Sequence, residues 1–120
     1  MDNCIFCKIA TKQIPSSIVY EDDALLAFKD INPAAPVHLL VIPKGEYVSA
    51  ADFNASAPPD ALTGFYRAVA HVAKLAGVAD NGYRLICNIG ADSRSEVPHF
   101  HVHILGGKKL GHLLGPPVAE

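Results

Sequence analysis

Residues 99–103 alternate histidine with apolar side chains: His99, His101 and His103 are interleaved with Phe100 and Val102, and Ile104 continues the apolar phase into Leu105-Gly106-Gly107. Period two is the period of a β-strand, so the segment predicts three imidazoles on one face and a core on the other. Three imidazoles buried without partners are costly, and a fold that gathers them has a use for them. The plain alternative is a polar, solvated strand face. One ion shared by all three is out of reach, because at a rise of about 3.3 Å per residue the first and third rings start about 13 Å apart. An adjacent His-x-His pair is close enough for an ion. The row suits an extended ligand better, such as a phosphate with flanking groups, attacked at phosphorus by one imidazole while its neighbours handle charge and protons.

A chain of 120 residues, half of them hydrophobic, supports one domain over residues 1–120 with a single sizeable core. The formal net charge is −2 and Lys and Arg do not run together, which argues against a nucleic-acid partner but not against a single nucleotide. Met1-Asp2-Asn3-Cys4 lacks the basic, apolar start of a signal peptide, and no stretch has the length of a membrane span. The expected setting is therefore cytoplasmic, without a membrane partner. The cysteines, with Cys4 and Cys7 as a Cys-x-x-Cys pair and Cys87 apart, do not make an even disulfide framework, so reduced thiols or a metal site are expected.

Ile5, Phe6 and Ile9 space a short helix over 4–11, which Pro15 and its serines end. Short β-runs at 17–20 and 24–28 flank the acidic turn Glu21-Asp22-Asp23, and a stronger strand covers 37–42, apolar except for His38. Residues 54 to 60 read as a loop. Leu62, Phe65, Val69, Val72 and Leu75 form the apolar stripe of a long helix over 59–76, with Gly77 behind it as cap. The Asn81-Gly82 turn leads into a strand at 83–87, and a polar loop over 88–98 joins it to the histidine strand. The sum is an α+β domain: an antiparallel five-stranded sheet with one long and one short helix.

His38 alone in an apolar strand reads by default as a satisfied core histidine, but with the triad in the same chain it becomes a fourth imidazole able to tune tautomers and protonation. Asn88 and the loop that carries Ser95 and Glu96 bring amides and short polar side chains to the same neighbourhood, as an ordinary surface turn or as phosphate contacts.

The run His99-Phe100-His101-Val102-His103-Ile104-Leu105 resembles the signature of the histidine triad (HIT) family. Cys4-Ile5-Phe6-Cys7-Lys8-Ile9, the segment from Ala27 to Pro33, and Ala35-Pro36-Val37-His38 through Lys44 are similar to its Hint branch, in order over nearly the whole chain. The resemblance implies a homodimer with a joined, larger sheet, and hydrolysis of purine nucleoside phosphoramidates without a required cofactor. It implies His101 as nucleophile on the α-phosphorus and His99 as its orienter through the backbone. His103 then contacts phosphate and His38 assists proton balance. Asp30 is implied to accept the ribose hydroxyls. Ile5, Phe6, Ile9, Phe28 and Ile31 match the slot for the base, and Asn88 a phosphate-side contact.

The chain departs from that pattern at Arg94-Ser95, where many relatives have Gly-Gln, and at Glu96, where animal relatives have a serine that aids the leaving group. The tail after Lys108 lacks the tryptophan of some relatives. Cys4 and Cys7 are half of a zinc site that some bacterial relatives complete with two histidines; here Glu46 and His99 take those places, giving a candidate structural zinc set. Cys87 is expected in the core and His71 and His112 in solvent. The alternative function is a non-catalytic protein that senses purine nucleotide and presents its surface to a partner, and a third reading is a small metalloprotein built on the cysteine pair.

Overall fold

The computed structural model of the protein describes residues 4–113. Five strands, β1 (Ile18–Glu21), β2 (Leu25–Lys29), β3 (Val37–Pro43), β4 (Arg84–Ile86) and β5 (Val102–Gly106), form one antiparallel sheet in the order β1-β2-β3-β5-β4. Asp22 closes the first hairpin by accepting the amides of Ala24 and Leu25 on one carboxylate oxygen, at 2.8 and 3.0 Å. Lys12 and Lys44 both pair with Glu21, each at 2.8 Å, and tie the flanking turns to it.

The alternation in β2, β3 and β5 splits the sheet into two faces. Leu25, Ala27, Leu39, Val41, Phe100, Val102 and Ile104 pack on the long helix α3 (Pro59–Leu75), through Phe65, Val69 and Val72. Leu26, Phe28, Leu40 and Ile42 face the other way, onto the short helix α1 (Ile5–Ala10). The pairing register sets Leu40 opposite His103 and His38 opposite Leu105, so the imidazoles of β3 and β5 emerge diagonally on the α1 face. The histidine ladder is shorter than the alternation predicts: pairing starts at Val102, and His99 lies in the bend before it.

A third helix, α2 (Ala50–Ser56), which the sequence does not predict, takes up residues 54–56 of the segment expected as a loop. Ser49 caps it by accepting the Asp52 amide at 3.4 Å, and Asp52 returns a carboxylate to the Val48 amide at 2.9 Å, a reciprocal capping box. Phe53 anchors it among Tyr47, Phe65 and Phe100, with ring centroids 4.8–5.2 Å apart. Leu75 is not in the core as expected: it is 58 % exposed at the last turn of α3. Cys87 is exposed rather than packed, because β4 is a three-residue edge strand that ends before it. Gly107, at φ +87°, lets the end of β5 pass close to the start of β3, where a Cβ would lie 3.0 Å from Pro36 Cβ and 3.3 Å from the Val37 amide. None of the described helices is long and apolar enough to cross a membrane.

Candidate active site

His101 is buried where the bend of 97–101 runs into β5. Its Nδ1 lies 2.7 Å from the carbonyl oxygen of His99. A carbonyl only accepts, so Nδ1 carries the proton and donates, and Nε2 is left with its lone pair. Burial lowers the His101 pKa, against the opposing pulls of that carbonyl and of Asp30, which keeps the ring neutral near pH 7. His103 stands 5.2 Å away between ring centroids; burial, together with repulsion from His101 and His38, brings its pKa down to about 4.

His38 joins this pair from β3. Its Nδ1 accepts the Ala34 amide at 3.0 Å, and its Nε2 lies 2.9 Å from His103 Nδ1 and 3.4 Å from Asp30 Oδ2. Asp30 is held by its other oxygen, which accepts the Asn32 amide at 2.8 Å just past the end of β2. The ligating atoms of Asp30, His38 and His103 lie within 4.8 Å of one another, as in a metal site. The Ala34 amide argues against that use. It occupies the Nδ1 lone pair of His38, so the ring proton sits on Nε2 and no lone pair remains there for a metal.

The apolar side of the site comes from α1 and β2. Phe6 sets its ring edge-on to both His101, at 4.8 Å, and Phe28, at 5.6 Å. Phe28 and Ile9 are buried beneath it, whereas Ile5 is 44 % and Ile31 86 % exposed. Of the residues expected to hold the base, Ile5 and Phe6 thus share α1 and Ile31 lies two residues beyond β2. Asn88 is half-buried two residues beyond β4. Ser95 returns its amide to the Gly90 carbonyl at 3.3 Å, and Glu96 is exposed; both sit in the loop that follows a short 3-10 turn at Ala91–Ser93. Arg94 within it takes a left-handed conformation, φ 65°. A cavity of about 460 Å³ touches Asp30 and His38 but opens to the α3 side, between Val19, Lys29, Val72 and Leu75.

His99 faces the cysteine pair. Its Nε2–H donates to the Pro43 carbonyl at 2.7 Å, so Nδ1 presents a lone pair, 3.2 Å from Cys7 Sγ. Burial lowers its pKa, partly offset by Pro43 and Glu46. Cys4 and Cys7 are joined as a disulfide rather than standing as the free thiols expected, since the first turn of α1 sets their Cα atoms 5.2 Å apart. Their sulfurs and His99 Nδ1 converge within 4.8 Å, while the expected fourth ligand, Glu46, is exposed and outside that trio. Two sulfurs and a bare imidazole nitrogen, fixed from behind by a carbonyl, suit zinc once the pair is reduced.

A model of the HIT domain family matches residues 11–110 of the chain. The chain is 42 % identical over 113 residues to a protein of Escherichia coli (strain K12) named purine nucleoside phosphoramidase, covering 94 % of each. It is 45 % identical over 107 residues to the 14 kDa zinc-binding protein of Zea mays, covering 88 % of this chain and 83 % of that one. Among solved structures, the HIT family hydrolase from Legionella pneumophila Philadelphia 1 is similar with a TM-score of 0.86 and 40 % identity, over 94 % of this chain and 100 % of that one.

Proposed function

The chain belongs to the HIT domain family, and from that premise we propose that it hydrolyses purine nucleoside 5′-phosphoramidates through a nucleotidyl-histidine intermediate on His101. The observation that carries the reading is the bare Nε2 of a buried, neutral His101, held by the His99 carbonyl beside the Phe6 ring. A neutral, oriented imidazole is a competent nucleophile, and the slot that the resemblance implies gives the base a place from which the phosphate reaches it. The similarity to the Escherichia coli phosphoramidase supports the same substrate class.

In this reading the base stacks among Ile5, Phe6, Ile9, Phe28 and Ile31, Asp30 accepts the ribose hydroxyls with the oxygen not committed to Asn32, and Asn88 and Ser95 flank the phosphate. His101 Nε2 attacks the α-phosphorus. The N–P bond to His101 forms as the phosphoramidate P–N bond breaks, and the departing amine takes the electron pair and a proton from solvent. Water then attacks phosphorus, its proton is lost to solvent, and the His101–P bond breaks to return neutral imidazole and a nucleoside monophosphate.

Two features of the assembly belong to the same proposal. The β4 strand is short and lies at the edge of the sheet, and Leu85, Ile89 and Tyr66 are exposed, which supports a homodimer that joins two sheets through β4. In a reducing, cytoplasmic setting Cys4, Cys7 and His99 take a structural zinc ion that stiffens the bend before His101, and no cofactor enters the reaction itself.

The test is mass spectrometry of enzyme quenched during turnover of an adenosine phosphoramidate. A nucleotidyl adduct on His101 is expected, together with His101→Ala protein that binds AMP without turnover. Full hydrolysis by that variant overturns the assignment; an AMP-induced rise in melting temperature with no amine released from wild type points instead to a nucleotide-sensing interaction protein.

A further inference from the structure

The contacts of His38 fix more than its place. Its Nδ1 is occupied by the Ala34 amide at 3.0 Å, so its single proton in the neutral state is on Nε2. That Nε2–H faces His103 Nδ1 at 2.9 Å, with the Asp30 carboxylate further off at 3.4 Å. Two N–H groups cannot face each other across such a distance, so Nδ1 of His103 holds a lone pair and its proton is on Nε2. Hydrogen bonding therefore runs one way, from the backbone of the 33–36 loop through His38 to His103. His101 is set the opposite way, with Nδ1–H on the His99 carbonyl and Nε2 bare. Two rings 5.2 Å apart thus carry one lone pair and one N–H on their remaining nitrogens.

To carry a proton, a neutral imidazole must first bind one at its unprotonated ring nitrogen. For His38 that nitrogen is Nδ1, where the Ala34 amide is a donor that neither supplies a proton nor makes room for one. We propose that His38 is a positioning residue rather than a carrier of protons, and that the Ala34 amide, acting through it, keeps His103 as an Nε2–H donor to the phosphate oxygen on which charge builds. The assignment narrows the proton-balancing role that the family resemblance gave His38. It rests on the proposed hydrolysis for its catalytic consequence, but the direction of the hydrogen bonds stands apart from any activity.

The experiment has two arms on the full chain. In the first, histidine-selective nitrogen-15 labelling and two-bond ring correlations near pH 7.5 read each tautomer. Nε2–H patterns for His38 and His103 and an Nδ1–H pattern for His101 are expected, while an Nδ1–H pattern for His38 or His103 overturns the proposal. The second compares His38→Gln, whose carboxamide keeps an N–H near the place of Nε2, with His38→Leu, which keeps none. Loss of one preset donor to a developing oxyanion costs about 100-fold in kcat, so the leucine variant falls by roughly that factor with KM little changed, and the glutamine variant recovers at least about tenfold of it. Equal loss in both variants, with both folded by their amide spectra, marks His38 as a proton carrier and overturns the proposal. Wild-type protein that hydrolyses no phosphoramidate sinks the proposed function, and the tautomer spectra then decide the hydrogen-bond direction alone.

Discussion

Acidifying the enzyme tests the electrostatics of the site most directly. In the proposed reaction attack needs a neutral His101, and burial lowers its pKa below the ordinary imidazole value of 6.5, so the acid limb of kcat/KM is expected below pH 6.5. With an unshifted imidazole about one tenth of the plateau would survive at pH 5.5; the structure requires more. His103, at about 4, is still almost wholly neutral there and does not define that limb. The sign for stability follows from the same shifts. Folded values below the unfolded one mean that the unfolded chain binds more protons, so this contribution is complete above about pH 6.5 and is lost as pH falls toward 4. The ceiling for His103 alone is about 3 kcal/mol, and screening at a half-buried ring reduces it to roughly 1–2 kcal/mol. Initial rates on an adenosine phosphoramidate between pH 4.5 and 8, corrected for uncatalysed hydrolysis, measure the limb, and urea melts over the same range measure the stability. An apparent pKa at or above 6.5 in the rates, or stability that rises on acidification from pH 6.5 to 5, refutes the reasoning.

Three further outcomes are expected. Gly107→Ala, which puts a Cβ at φ +87° and 3.0 Å from Pro36, lowers stability by about 1–3 kcal/mol and the melting temperature by several degrees; an unchanged melting curve contradicts the close approach of β5 to β3. Leu85→Lys on the open edge converts a dimer to a monomer in sedimentation equilibrium, whereas a monomeric wild type removes the joined sheet altogether. Reduced protein binds about one zinc ion per chain by elemental analysis and Cys7→Ser binds none; equal zinc in both assigns the metal elsewhere.

The sheet and the long helix were legible because their signals are periodic and local. Alternation through 99–104 places Phe100, Val102 and Ile104 against α3 and turns His101 and His103 the other way, even though pairing begins only at Val102. Helix α2 is masked by the Ala, Ser and Pro content of the residues that close and follow it, although Ser49 and Asp52 at capping-box spacing announce it. Leu75 and Cys87 were misjudged because periodicity says which side of an element a residue takes and not where its partner ends: α3 runs on past the sheet, and β4 stops at Ile86. The direction of the His38 hydrogen bonds lay beyond reach of any pattern, because it depends on one backbone amide four residues upstream and on a ring 65 positions away. The cysteine spacing suggests a metal and the family resemblance adds Glu46 and His99; the fold brings His99 Nδ1 to the two sulfurs and leaves Glu46 out.

The two-sided character of β5 makes the proposed nucleophile a passenger of the interior. Phe100 and Val102, on either side of His101, are both buried against α3, so its angle is dictated by aliphatic and aromatic packing on the reverse of the sheet. Trimming Ile104, fully buried in the same α3-side packing, is expected to destabilise the strand that carries the ring. Natural variation in this lineage should accordingly find catalytic tuning among greasy residues that never meet the substrate.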